Sequence, residues 1–176
     1  MMRPTLALFL FLPFLLLSTV QADEHQFIGK VMKVTDGDTV VISSEREVFV
    51  KCRLYGIDAP ETAKRGVPGQ PYGEEATKEL KHIILAKNVQ VDTTTRDRYN
   101  RDICFVTLDG LDVNLEMVRR GYAWAFLKYL RPPFIQKYVA AETEARKNGL
   151  GLWHIINPEP PWEYRKKMKV PNHSQE

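Results

Sequence analysis

Three acidic residues sit where this chain turns. Asp38 follows Asp36-Gly37 in a tight turn, and Asp58 and Glu61 flank Ala59-Pro60 in the run Ile57-Asp58-Ala59-Pro60-Glu61-Thr62. Pro60 has a fixed φ and biases Ala59 toward an extended backbone. Two carboxylates and a free backbone carbonyl are therefore held on one stiff turn, an arrangement suited to a hard cation such as calcium. Acidic residues beside Gly and Pro also serve as plain surface turns. Arg53 and Arg101 shift the balance, because each lies on a predicted strand and faces away from its apolar stripe. Two such arginines could make ordinary ion pairs or fork together onto a phosphate. A divalent cation, an unspent carboxylate and two guanidinium groups suit phosphodiester cleavage, in which the transition state gathers negative charge and the attacking water needs a base.

The elements that position these groups are legible in the pattern. Residues 27–35 are rich in strand formers, Asp36-Gly37-Asp38 marks a turn and residues 39–42 resume a strand, which predicts a hairpin. Residues 47–55 alternate: Val48, Val50, Cys52 and Leu54 share a core face, so Arg53 points outward. Gly66, Pro68, Gly69 and Pro71 make residues 63–71 a loop. Ala76, Leu80, Ile83 and Ile84 then form one helical stripe. Residues 88–94 and 101–108 read as two more strands, with Cys104, Val106 and Leu108 on a common face and Arg101 opposite. Residues 114–120 form a short helix stopped by Gly121. Pro132-Pro133 opens another, with Phe134, Tyr138, Ala141 and Ala145 on one face. Five short strands with a helix between the third and fourth is the order of an OB-type barrel.

The chain has 176 residues, 44% hydrophobic and 27% charged, which excludes a disordered, collagen-like or polytopic membrane protein. Its formal charge of +3 is too small to prove a polyanionic partner by itself. Residues 1–22 read as a secretory signal, with Arg3 ahead of an apolar run and small or branched residues before a cleavage point after Ala22. The run is short for a membrane span. Loss of this segment removes only Arg3 among charged residues, so the formal charge falls from +3 to about +2. An exported chain meets oxidising conditions, and Cys52 and Cys104 are its two cysteines. Strand parity puts both on the core side but does not fix their height, so a disulfide and two buried thiols both stay open.

The segments VTDGDTVVI, VKCRLYGIDAPET, DRYNRDICFV and LDVNLEMVRRGYAW resemble, in order and spacing, the staphylococcal nuclease (thermonuclease) family. The resemblance runs from about Phe27 to Trp153, and the ending GLWHIINPEPPWEYRKK looks like that of secreted bacterial members. It implies an α+β fold, a five-stranded OB-type barrel with three helices. It also implies that Asp38, Asp58 and the backbone carbonyl of Ala59 hold Ca2+, with Thr39 orienting the metal turn. Glu61 then matches the general base, and Arg53 and Arg101 the phosphate-binding arginines. Tyr99 matches an aromatic that packs on the nucleotide, and Arg98 a basic residue near the terminal phosphate. Tyr129 is the best candidate for a second nucleotide-contacting tyrosine, in a stretch one residue longer than the family's.

These readings give a signal over 1–22, a nuclease domain over 23–157 and a Pro-rich basic tail over 158–176 that wraps the surface or is mobile. Arg165, Lys166, Lys167 and Lys169 in that tail are read as a solvated end or as extra phosphate contacts. His82 and His154 are read as structural. The expected function is a secreted or periplasmic, monomeric, calcium-dependent endonuclease. Its substrates would be DNA and RNA, cut with little sequence preference to leave 3′-phosphate ends. A non-catalytic nucleic-acid-binding barrel and a hydrolase of another phosphate ester are the alternatives.

Overall fold

A computed structural model describes residues 25–169; the signal expected at 1–22 lies outside them. β1 (Gln26–Asp36) and β2 (Thr39–Ser44) form the expected hairpin, with Asp36 opposite Thr39 across Gly37-Asp38. β2 pairs with β3 (Phe49–Leu54), β1 with β5 (Asn88–Arg96), and β5 with β6 (Asp102–Leu108), all antiparallel. The fifth pairing is parallel: Cys52 lies opposite Asp102 and Leu54 opposite Cys104. It joins the two open edges and closes a five-stranded barrel, which removes both edges at once. Period-two alternation fills the interior with Val31, Val40, Ile42, Cys52, Leu54, Val91, Cys104 and Val106, all buried.

Helices cover the barrel. α1 (Gly73–Ile84) buries Ala76, Leu80, Ile83 and Ile84, the stripe read from the sequence. One close approach is at Gly37, where a Cβ would come within 2.7 Å of the Ala59 Cβ and 2.8 Å of the Ala76 Cβ. Glycine there lets the hairpin turn, the Asp58 turn and α1 meet. The two-residue strands β4 (Ile57–Asp58) and β8 (Trp124–Ala125) pair, fixing the height of Asp58. α2 (Val113–Arg119) follows the short β7 (Leu111–Asp112), and the Asp112 side chain caps it by accepting from Leu115 N–H at 3.0 Å.

Asn114 at the start of α2 is fully buried and spends its amide on the barrel. Its Oδ1 accepts from Val106 N–H at 3.1 Å. Its Nδ2 donates to the carbonyls of Tyr55 at 3.1 Å and Cys104 at 2.9 Å. It thus satisfies backbone groups beside the β3–β6 seam, where the ladder has run out. Gly121 ends α2 at φ +76°. A Cβ on it would meet the Leu150 carbonyl oxygen at 2.2 Å, and Leu152 N–H donates to the Gly121 carbonyl at 2.8 Å. The chain leaving α3 (Phe134–Lys147) is thereby held against the end of α2 before its 3-10 turn (Gly151–His154).

Three expectations change, and one open alternative closes. The tail is not a loose wrap: α4 (Pro161–Lys169) makes a fourth helix beyond the three expected. Val48 is exposed, because the β2–β3 turn tightens through Glu47 at φ 58° and leaves Val48 on its rim. His82 and His154, read as structural, are both exposed. Cys52 and Cys104 are both buried and unbonded, so of the two open alternatives the structure carries the thiols. A hydrogen bond to Cys52, then burial, pushes the Cys104 thiol far above its usual range.

Two outcomes follow. Denatured, unreduced protein should titrate with two thiols per chain; none, in a monomer, would show a bridge. Asn114→Ala strands the Val106 N–H and the Tyr55 carbonyl, while the Cys104 carbonyl keeps the Tyr55 N–H, and should cost ~2 kcal/mol or more in denaturant unfolding. A loss below ~1 kcal/mol would mean those groups find other partners.

Candidate active site

Four chain segments converge beside the barrel seam. The β1–β2 turn brings Asp36, Asp38 and Thr39. The end of β3 brings Arg53, and β4 with the turn after it brings Asp58, Ala59 and Glu61. The β5–β6 turn brings Arg98, Tyr99 and Arg101. Asp36, Asp38, Arg53, Glu61, Arg98, Tyr99 and Arg101 line one cleft of ≈ 1130 Å³, with Thr39, Asp58 and Ala59 buried behind them; Tyr129 and the α4 residues Tyr164, Arg165 and Met168 line it too. Thr39 and Arg53 face each other across the β2–β3 ladder, so the two carboxylate turns are set by strand register.

Arg53 is the centre of the site. Its Nη1 pairs with Asp38 Oδ2 at 2.5 Å and its Nη2 with Asp58 Oδ1 at 2.7 Å, so one planar guanidinium spans both carboxylates. Asp38 Oδ2 also accepts from Ala59 N–H at 2.8 Å, and its Oδ1 from the Thr39 hydroxyl at 3.0 Å. The Thr39 hydroxyl therefore fixes one Asp38 oxygen. Glu61 lies beside this pair, its Oε2 held by Lys64 Nζ at 2.8 Å and its Oε1 by Arg165 Nη1 at 2.8 Å. Its backbone N–H donates to Gln70 Oε1 at 3.0 Å, which fixes the turn.

Burial and charge act in opposite directions on these carboxyls. Burial pushes Asp38 up, but Arg53, Asp36, Ala59 N–H and Thr39 together outweigh it and hold it below the ordinary carboxylate value. Asp58 goes the other way: burial dominates, against Arg165 and Arg53, and raises it. Asp36, half-buried and next to the Asp38 charge, is pushed up to about 7 by desolvation first and that charge second. Burial alone would raise Glu61 too; hydrogen bonds from Lys64 and Arg165 bring it below its usual value, so it stands as the carboxylate, the form a base needs.

Asp38, Thr39, Arg53, Asp58, Ala59 and Glu61 therefore come together. Arg101 joins them at the edge, its Nη1 3.4 Å from the Thr39 hydroxyl, while its Nε donates to Asp97 Oδ2 at 2.8 Å. Arg53 and Arg101 thus share the cleft, but each is paired with carboxylates. Tyr99 is 59% exposed and Tyr129 53% exposed, and both line the cleft. The Arg98 guanidinium lies 4.9 Å from the Tyr99 ring centre. Cys52 and Cys104 lie inside the barrel, away from the cleft. Two site residues were not singled out from the sequence, Asp36 and Lys64, and Arg165 was named only within the basic tail, as part of a solvated end or as an extra phosphate contact. Parity offered a signal for Asp36, two residues before Asp38. Lys64 sits three residues after Glu61. Arg165 had only its place in a basic run.

The arrangement offers oxygen donors for a cation, guanidinium groups for a phosphate, a carboxylate base and two aromatic faces for bases. Comparison with known proteins agrees with that chemistry. Residues 51–155 match the family model described as staphylococcal nuclease homologue. The chain is 39% identical over 145 residues to an uncharacterized endonuclease of Escherichia coli, covering 82% of this chain and 86% of that one. It is 35% identical over 141 residues to an uncharacterized endonuclease of Haemophilus influenzae, covering 80% and 74%. To the micrococcal nuclease of Shigella flexneri it is 34% identical over 152 residues, covering 81% and 83%. With its barrel, its clustered carboxylates and arginines and these relatives, the chain belongs to the staphylococcal nuclease family and is a nuclease.

Proposed function

We propose that the protein is a calcium-dependent endonuclease that cuts DNA and RNA with little sequence preference and leaves 3′-phosphate ends. The observation that carries the reading is the Arg53 guanidinium spanning Asp38 and Asp58 with Glu61 beside them. Among the described residues no three His, Cys, Asp or Glu side chains surround one point. Asp38 and Asp58 offer oxygen donors only, close enough to share one guanidinium. That set fits a hard cation bound weakly by two carboxylates, with backbone and water oxygens completing its shell. When bound, such a cation would polarise a phosphoryl oxygen.

The chain's own groups supply the rest. Glu61, already ionised, takes a proton from a water whose oxygen attacks phosphorus. The bond from phosphorus to the 5′-oxygen breaks on the opposite side, and that oxygen takes up a proton. Arg53 and Arg101 hold the non-bridging oxygens as charge builds on them. Departure of the 5′-oxygen rests on the family resemblance. The broad substrate range follows from the lining: cations address phosphates, and the faces of Tyr99 and Tyr129 address any base, so neither reads a base edge or a 2′-hydroxyl. The leader-like segment 1–22 supports export to periplasm or medium, where the chain would work as a monomer free of the membrane. Cell fractionation with an antibody to the mature chain tests that placement.

Incubation with plasmid and with RNA, in calcium and in chelator, tests the activity. Chelation should abolish cleavage of both while circular dichroism stays unchanged; cooperative unfolding on chelation would make the cation structural. Glu61→Gln should lower kcat by about 10²-fold or more with oligonucleotide binding retained. Arg101→Lys keeps charge and loses the fork, and should be impaired severely. Near-parental turnover by Arg101→Lys would remove Arg101 from phosphate binding. Fragments should resist polymerase extension until a phosphatase removes the 3′-phosphate.

A further inference from the structure

Asp58 is engaged from two sides. Its Oδ1 accepts from Arg53 Nη2 at 2.7 Å and from Arg165 Nη1 at 3.0 Å, and its Oδ2 accepts from Arg165 Nη2 at 2.7 Å. Arg165 Nη1 also reaches Glu61 Oε1 at 2.8 Å. One guanidinium from a helix outside the barrel thus bridges the proposed metal carboxylate and the proposed base. Three carboxylates, Asp38, Asp58 and Glu61, face three cations, Arg53, Lys64 and Arg165. A divalent ion that takes Asp58 must displace the Arg165 guanidinium, which holds both of its oxygens.

Arg165 is the one built to withdraw. Arg53 is 11% exposed on a closed barrel strand, whereas Arg165 is 35% exposed at the cleft wall. The seating of α4 does not depend on it. Tyr164 Oη donates to the Pro68 carbonyl, Trp162 stacks on Phe126 with ring planes 3° apart, and Gln70 Nε2 donates to the Glu159 carbonyl at 3.1 Å. The side chain can therefore swing while the helix stays, and the cleft it lines is where a phosphodiester would arrive.

We propose that Arg165 is a further substrate-binding residue of this site: it occupies Asp58 and Glu61 until a divalent cation takes Asp58, and then passes to the substrate phosphate. The proposal rests on the calcium site proposed above. The exchange has two opposite effects. The arginine competes with calcium for Asp58 in the free protein, and it adds a phosphate contact once calcium is bound. Its departure also frees one Glu61 oxygen for the water.

Arg165→Gln in the full chain tests both. Calorimetric titration with calcium alone should show binding about tenfold tighter than in the parent. KM for single-stranded DNA at saturating calcium should rise by about tenfold. Arg165→Lys, which keeps the charge and loses the fork, should fall between parent and Arg165→Gln in both measurements. Unchanged calcium affinity in both variants would overturn the exchange. Tighter calcium binding with unchanged KM would make Arg165 a plug and not a substrate ligand, which also overturns the proposal. Calcium binding absent from parent and variants alike would overturn the metal-site reading, and the exchange with it.

Discussion

Arg53 places a full positive charge at the barrel wall, and the geometry around it follows from the need to neutralise that charge. A buried guanidinium stripped of its partners would cost several kcal/mol, so Asp38 and Asp58 must both arrive within reach of one planar fork. They come from different turns. Asp38 follows the β1–β2 hairpin, and its height is set by the Asp36–Thr39 register. Asp58 sits in β4, and its height is set by pairing with Trp124. The parallel seam between β3 and β6 holds Arg53 in place between the core residues Cys52 and Leu54. Asn114 finishes that seam by satisfying the backbone groups it leaves over. The barrel is therefore the scaffold for a charge cluster, and its closure is what makes the cluster rigid.

Much of this was legible because strands have period two. Once 47–55 was read as alternating, Arg53 had to face away from Cys52 and Leu54, and it does. The stiff Asp58-Ala59-Pro60-Glu61 turn was legible because proline restricts its neighbours. Val48 failed the same rule because the turn at Glu47 breaks the strand before the alternation does. α4 was not legible for a different reason. It buries only Pro161 and Tyr164, so it has no apolar stripe to find. Its contacts with Pro68 and Phe126 lie far away in sequence, and tertiary docking overrides its weak local preference.

The family match ends at residue 155, and α4 begins after it. The segment that bridges to α4 is nonetheless tied to the core. Gly121 and Gly151 approach with no room for a side chain on either, so the exit from α3 is held against α2. From that anchor the chain runs through α4 to bring Arg165 across to carboxylates 107 and 104 positions earlier. The charge balance of the site is thus shared between the barrel and an element appended to it.

All three tryptophans of the chain, Trp124, Trp153 and Trp162, lie where β8, the 3-10 turn and α4 meet. Trp124 lies edge-on to Trp153 with ring centres 4.4 Å apart and to Trp162 at 5.6 Å, and the Arg146 guanidinium sits 3.9 Å from the Trp153 ring centre. The barrel strands β1, β2, β3, β5 and β6 carry no indole. Indole emission from this protein therefore comes from one place, the junction of β8, the 3-10 turn and α4. The molecule carries a built-in optical gauge of how its last helix is seated, and that gauge has no direct view of the barrel.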